Sequence, residues 1–270
     1  MDRKPYSKAH VDESAEPSKK RNRTNRKDVE LSKALSWVLR HAEPSSLGLS
    51  MTLDGYVPIQ GLLESGHPRF KGVTMEDIQK VVDENDKQRF RICTKRFIVH
   101  SDDAKSKNKA RYTFITDEDS GSAGGEGQDM LCIRANQGHS IATGISSDEL
   151  LQRLSPEELA SIDTIVHGTT WIAWDQHIKR EGLCRMKRHH IHFATGIPGE
   201  DTSVISGMRS SSDVYIYIDS KKCASDGVIF YKSDNNVLLT SGINGYLSPL
   251  YFKKVIHATT LKVLMPCTNP

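Results

Sequence analysis

No stretch of the 270 residues approaches the roughly eighteen consecutive apolar side chains that a membrane-spanning helix requires, and the N-terminus has no apolar core of the kind that directs secretion. Cysteine is scarce and scattered. The five (Cys93, Cys132, Cys184, Cys223, Cys267) form no C-x-x-C pair and leave one unpaired in any disulfide scheme, so a reducing, intracellular location is expected, cytoplasmic and/or nuclear, with no structural zinc. The glycine-rich run 121–128 lacks G-x-G-x-x-G and carries no Lys-Ser/Thr pair after its glycines, which excludes a phosphate-cradling loop there. The apolar fraction, 37%, is low but compatible with one large or two ordinary packed domains, and the net charge of +3 is mild. The basic residues are nevertheless concentrated in a few clusters, which fits local contact with phosphate groups.

What is present begins with Leu31 to Ala42, LSKALSWVLRHA. Leu31, Ala34, Leu35, Val38 and Leu39 recur at helical spacing and predict an amphipathic helix, with Asp28 as N-cap and Pro44 ending it close to His41. The adjacent Arg40-His41 pair thus rides on the last turn, where the macrodipole alone would favour cations. Residues 1–28, with Lys19, Lys20, Arg21, Arg23, Arg26 and Lys27, have almost nothing to bury and read as a disordered basic tail: a solvated charge run, a nuclear import signal or an RNA arm.

Downstream, Asp54-Gly55 reads as a turn, Tyr56-Val57 as a short strand and Ile59–Glu64 as a short helix. Thr74 caps a further helix that runs to about Asn85, with Ile78, Val81 and Val82 buried. Residues 89–100 are β-rich. Helix, short helix, helix and strand pair is the order of a winged-helix-like unit, expected to occupy 29–148 with a flexible polar insert at 101–129. A strand from Met130 delivers the loop RANQGHS, in which Arg134, Asn136, Gln137 and His139 surround the permissive Gly138; substrate phosphate support and a structural staple are equal contenders for it.

Residues 149–270 read as a second, strand-dominated unit, giving an α+β protein overall. Its strands are 164–169 ending in His167-Gly168-Thr169, 190–193, Asp213–Ile218, Gly227–Tyr231, Val237–Thr240 and Tyr251–Ile256, with a helix from about Trp171 to Arg180. His190 and His192 would share a strand face, but Arg185, Lys187 and Arg188 beside them would repel a metal ion, so the cluster suits anions and no metal is expected.

LSKALSWVLRHA, NDKQRFRI, IRANQGHSI, VHGTT, REGLCRMKRHHIHFAT and DGVIFYKSDNNVLLT, in that order, together resemble the NAD-dependent RNA 2′-phosphotransferases, which remove the 2′-phosphate left at tRNA splice junctions. The resemblance implies a C-terminal lobe similar to the NAD-binding fold of ADP-ribosyltransferases. It puts a catalytic tetrad on Arg40, His41, Arg89 and Arg188, and NAD contacts on His167, Gly168, Thr169 and His192. NAD would be consumed as a co-substrate, giving nicotinamide and ADP-ribose 1″,2″-cyclic phosphate. The implied partners are 2′-phosphorylated RNA, tRNA first, and NAD, with no membrane, and the chain is expected to act as a monomer. A second reading keeps the same pocket and stops after the first step, ADP-ribosylating terminal phosphates of RNA or DNA. A third, an RNA-binding module with a relic C-terminal lobe, predicts salt-sensitive RNA affinity without NAD turnover; the intact Arg-His pair and His-Gly-Thr strand argue against it.

Overall fold

The computed structural model describes residues 19–100, 111–115, 127–141, 144–197, 207–209 and 211–265. Helix α1 (Lys19–Arg40) buries Leu31, Ala34, Leu35, Val38 and Leu39, as their spacing requires. It begins well before Asp28. The expected N-cap instead lies inside the helix, where its carboxylate accepts from Lys80 Nζ at 2.7 Å. The basic run holds good helix formers and no glycine or proline, so the helix continues upstream from its packed half. Only the last part of the expected tail is therefore corrected; residues 1–18 lie outside the described set. At the other end, His41 N–H and Ala42 N–H both donate to Trp37 C=O, and Pro44 permits no further turn.

Beside α1 pack α2 (Ile59–Glu64) and α3 (Met75–Asp83), the latter opened by a reciprocal capping box between Thr74 and Asp77. The first sheet is antiparallel, in the order β1 (Val57–Pro58), β4 (Gln128–Ala135), β2 (Phe90–His100), β3 (Arg111–Phe114). Leu35, Leu39, Ile59, Leu62, Ile78 and Ile133 are almost wholly buried between helices and sheet. Strand β3 corrects the expected unstructured insert, because Tyr112 and Phe114 alternate onto the sheet and Phe114 meets Phe97 at 5.5 Å. The remaining insert residues, 101–110 and 116–126, are not among those described.

A second core, with Phe193, Ile216, Phe230, Leu238 and Phe252, lies under the rest of the chain. Short helices α4 (Ser147–Leu150) and α5 (Pro156–Ser161) flank strand β5 (Gln152–Arg153). Next come β6 (Val166–Thr169), a continuous helical segment from α6 (Trp171–Ala173) through a π turn to α7 (Lys179–Glu181), then β7 (Leu183–Cys184), β8 (Ile191–Phe193), β9 (Val214–Ile218) and α8 (Ser220–Ser225). The chain closes with β10 (Tyr231–Lys232), β11 (Leu238–Thr240), β12 (Tyr246–Leu247), β13 (Phe252–His257) and β14 (Val263–Met265). One sheet runs β5-β10-β11-β8 and another β14-β13-β9-β6, joined where Val166 exchanges both backbone bonds with Ala194. The expected strand at 227–231 shrinks to its last residue, since Gly227 N–H and Val228 N–H are drawn to the carbonyls of Ala224 and Cys223 that close α8. The architecture is mixed α and β. Among the described residues no helix is long and apolar enough to cross a membrane.

Candidate active site

Arg40 ends α1 and His41 follows it, so both side chains leave the helix where its carbonyls lack partners. Ser140, which the sequence did not single out, fastens this corner: its N–H donates to Arg40 C=O at 2.8 Å and its hydroxyl lies 2.8 Å from His41 Nδ1. Arg89 sits between α3 and β2. Asn85 Oδ1 accepts from both the backbone N–H and Nη1 of Arg89, each at 3.3 Å, and Asn136 N–H donates to Arg89 C=O. Asn136 Nδ2 also holds Gln88 C=O at 2.7 Å, which stabilises Gln88 at a φ of 43°. The loop after β4 is thus the staple for the N-terminal half of the site.

That loop is tied equally to the second lobe. His189 N–H donates to His139 C=O at 3.0 Å, His189 Nε2–H donates to Ile141 C=O at 2.7 Å, and His190 Nε2 lies 3.1 Å from Ser147 Oγ. On the opposite flank, Asp234 accepts from Arg91 at 2.8 Å and from Arg134 at 2.7 Å, while Asn235 Nδ2 donates to Lys87 C=O at 3.0 Å. Arg134, stacked 4.8 Å over Tyr56, is a lobe fastener: Nη1 donates to Asp54 C=O and Nη2 to Asp234, and only its buried Nε is left without a partner. Gln137 and His139 are buried within the same loop.

Between these two fastenings the remaining arginines converge. Burial, then Arg89, then Arg188 bring the Arg40 guanidinium down to about 10, so all three charges are felt at one place. Arg40 Nε and Nη2 are buried without a partner in the protein. Among the described residues, no carboxylate is in ion-pair contact with Arg40, Arg89 or Arg188. Gly138, at a φ of 89°, lets the loop pass between the lobes: a Cβ there would stand 3.6 Å from both Arg40 Nη1 and His192 Nε2. Arg40 and His192 therefore face the same small space from opposite lobes.

The histidines around it are neutral at pH 7. Burial and then the neighbouring cations push His192 and His139 down to about 3 and His190 to about 4, and hold His41 below its ordinary value. His167 Nδ1–H donates to His192 C=O at 2.8 Å, which fixes its tautomer and leaves Nε2 as an acceptor. Gly168, next along β6, is closely covered: a Cβ would run into the Met208 side chain and stand 2.6 Å from Ser212 Oγ. Burial and then Arg209, beside Met208, lower the Arg188 pKa, and burial lowers that of His167 with Arg209 adding to it; Arg209 is a cation that motif reading missed. Among the described residues there is no group of three or more metal-ligating side chains.

Unpaired guanidiniums held together by the fold, with neutral histidines among them, make a site for a multiply charged anion at which protons can be exchanged. Comparison with known proteins says which. Residues 26–242 match the model of the RNA 2′-phosphotransferase, Tpt1 / KptA family, and the chain belongs to that family; it is an enzyme, a transferase. The chain is 41% identical to tRNA 2′-phosphotransferase 1 of Danio rerio over 253 residues, 92% of this chain and 94% of that protein. Identity is 39% to tRNA 2′-phosphotransferase 1 of Homo sapiens over 88% of this chain and 79% of that one, and 34% to tRNA 2′-phosphotransferase of Saccharomyces cerevisiae over 81% of each.

Proposed function

We propose that this enzyme transfers an internal 2′-phosphate of RNA, tRNA in the first place, to NAD, releasing nicotinamide, 2′-hydroxyl RNA and ADP-ribose 1″,2″-cyclic phosphate. The observation that carries this reading is the meeting of Arg40, Arg89 and Arg188, from both lobes, around buried guanidinium nitrogens that no protein group satisfies. A phosphate monoester, with its second pKa near about 6, is largely a dianion at neutral pH. Its oxygen attacks the ribosyl C1″ and nicotinamide leaves with the bonding pair, a step that needs alignment and no base.

The second step differs. The ribosyl 2″-hydroxyl attacks phosphorus, the RNA 2′-oxygen departs, and one proton must pass from the first oxygen to the second. His41 suits that transfer. It is neutral at pH 7, and the Ser140 hydroxyl at Nδ1 leaves Nε2 facing outward. Arg40, Arg89 and Arg188 stabilise the charge that develops on the phosphoryl oxygens.

The β6 edge supports the NAD assignment. Val166 directs its N–H and C=O at Ala194, and in an antiparallel strand the residue two further on points its own pair to the same side. Gly168 therefore presents a donor and an acceptor at the sheet edge, the complement of a carboxamide, while the partnerless His192 Nε2 and Asp213 Oδ1 are further polar contacts for the ribose. The three helices packed on an antiparallel sheet support a winged-helix-like first lobe, and the paired sheets joined at Val166 support an ADP-ribosyltransferase-like second. One chain supplies the whole set, which supports action as a monomer.

The test is incubation with NAD and a short oligonucleotide bearing an internal 2′-phosphate. Free nicotinamide and the cyclic phosphate are expected in equal amounts. Persistent ADP-ribosylated nucleic acid would assign the arrested reaction instead, and absence of NAD consumption would overturn both.

A further inference from the structure

We infer that the groove between α1 and α3 is the track for the single-stranded RNA that flanks the phosphorylated nucleotide, an inference that rests on the function proposed above. The groove encloses about 1010 Å³. That is the top of the ~300–1,000 Å³ range of small-molecule sites and leaves room for an extended polymer. It also opens directly onto the chemistry, since His41 and Arg89 form its inner end. Whatever strand places a 2′-phosphate against those two residues needs a path away from them, and this concavity is contiguous with both.

The walls carry the chemistry that recognises a nucleic-acid backbone. On α1, Lys33, Ser36 and Trp37 face the groove at helical spacing, in line with His41. Lys33 stands about 12 Å from His41 along the axis, so it meets the strand beyond the immediate neighbours of the reacting nucleotide. Across from it, Lys87 lies beside Arg89 and carries no ion pair among the described residues, as is also true of Lys33. The acidic side chains are only partly offset in place: Asp28 and Glu84 both sit against Lys80, at 2.7 and 3.9 Å, so that trio keeps one negative charge and Asp86 adds a second, which Lys33, Lys87 and Arg89 together outweigh. Trp37 is a rigid wall, with His67 stacked on it at 5.2 Å and Arg69 4.8 Å from its ring centre. A fixed aromatic edge among lysines gives sequence-tolerant contact with bases and riboses. Upstream, α1 continues to Lys19, so the helix that forms this wall runs on past Asp28.

The experiment compares wild type with Lys33→Glu/Lys87→Glu on two substrates, a trinucleotide with a central 2′-phosphate and the same trinucleotide extended at both ends. On the extended RNA the variant's KM should rise about tenfold at ~0.1 M salt, and the slope of log Kd against log salt should fall by about 1.4, two single-strand phosphate contacts. KM for NAD and turnover of the trinucleotide should be unchanged. Equal loss on both substrates, or none on the extended one, would overturn the track. If wild type turns over neither RNA with NAD, the proposed function fails, while fluorescence anisotropy with the labelled extended RNA still decides the groove. Lys33→Ala/Lys87→Ala, with matched thermal melts, separates an effect on RNA from an effect of charge reversal on folding; it should show the same preference at smaller amplitude.

Discussion

Two groups of arginines lie close together in this protein and differ in one respect, the presence of a carboxylate. Arg91 and Arg134 share Asp234, which joins the sheet of the first lobe to the turn after β10. Arg40, Arg89 and Arg188 share only the repulsion of one another, and burial makes it felt. A guanidinium whose charge is met within the fold stabilises the fold. One that is buried and unmet lowers stability, and it is kept for the ligand that completes it.

The contrast is broken most severely by removing the unmatched group. Arg40→Ala should lower kcat for RNA dephosphorylation by about 10³-fold, the scale of losing one preorganised charged donor, while the melting temperature stays level or rises. Arg188→Lys should not restore activity, because an ammonium cannot make the bidentate contact. His41→Ala should slow the second step more than the first, so that ADP-ribosylated RNA accumulates. Single-turnover analysis of the intermediate measures this; equal slowing of both steps would refute the division of roles.

Around the unmatched group lie His139, His190 and His192, which sharpen the contrast through pH. Their folded pKa values of about 3, 4 and 3 lie below the ordinary 6.5, so the unfolded chain binds protons first as pH falls. Their neutral forms are accommodated at no penalty above pH 6.5, and stability is lost as pH drops from there towards the folded values. The loss is about 1 kcal/mol per histidine for each pH unit in that window. Thermal melts between pH 7.5 and 5.5 should therefore fall steeply, and a flat profile would mean that these rings are not buried as neutral species.

Arg134→Ala addresses the matched group. It leaves Asp234 with Arg91 alone and strips one of the two cations, the other being Lys95, from above Tyr56, so denaturant unfolding should show a loss of about 2 kcal/mol. Activity should fall less than in Arg40→Ala, through looser placement of the lobes.

The same comparison shows what the sequence made legible. Helical spacing from Leu31 to Leu39, the Thr74 cap and the alternation of Val214, Ile216 and Ile218 are local patterns, and the structure follows them. The start of α1 was missed because a basic run permits either a helix or a solvated coil, and contact with α3, through Lys80 and Asp28, lies far along the chain. Strand β3 was hidden by its polar surroundings, although Tyr112 and Phe114 alternate. The positions of Arg40, Arg89 and Arg188 came from family resemblance, since no spacing rule joins the end of a helix to a turn in the other lobe. Nothing local marks Asp234 as an ion-pair partner. Its role as the counter-charge of Arg91 and Arg134 exists only once the lobes are placed together, and the part played by Ser140 only once the loop after β4 has folded back onto the end of α1.

Ser140 is also where the comparison is tested most gently. Its hydroxyl bonds His41 Nδ1 and its N–H bonds Arg40 C=O, so the residue orients the unmatched group without touching the substrate. Ser140→Ala keeps the backbone bond and removes the other. The imidazole then turns more freely and more often presents the wrong nitrogen, which should lower the second-step rate about tenfold, an orientation penalty of about 1.4 kcal/mol. The first step, which needs no proton, should hold its rate, and thermal stability should change by no more than about 0.5 kcal/mol, because His41 is exposed and water can replace the lost bond. If Ser140→Ala slows both steps alike, the hydroxyl serves the shape of the loop rather than the imidazole, and the proton transfer belongs to another residue.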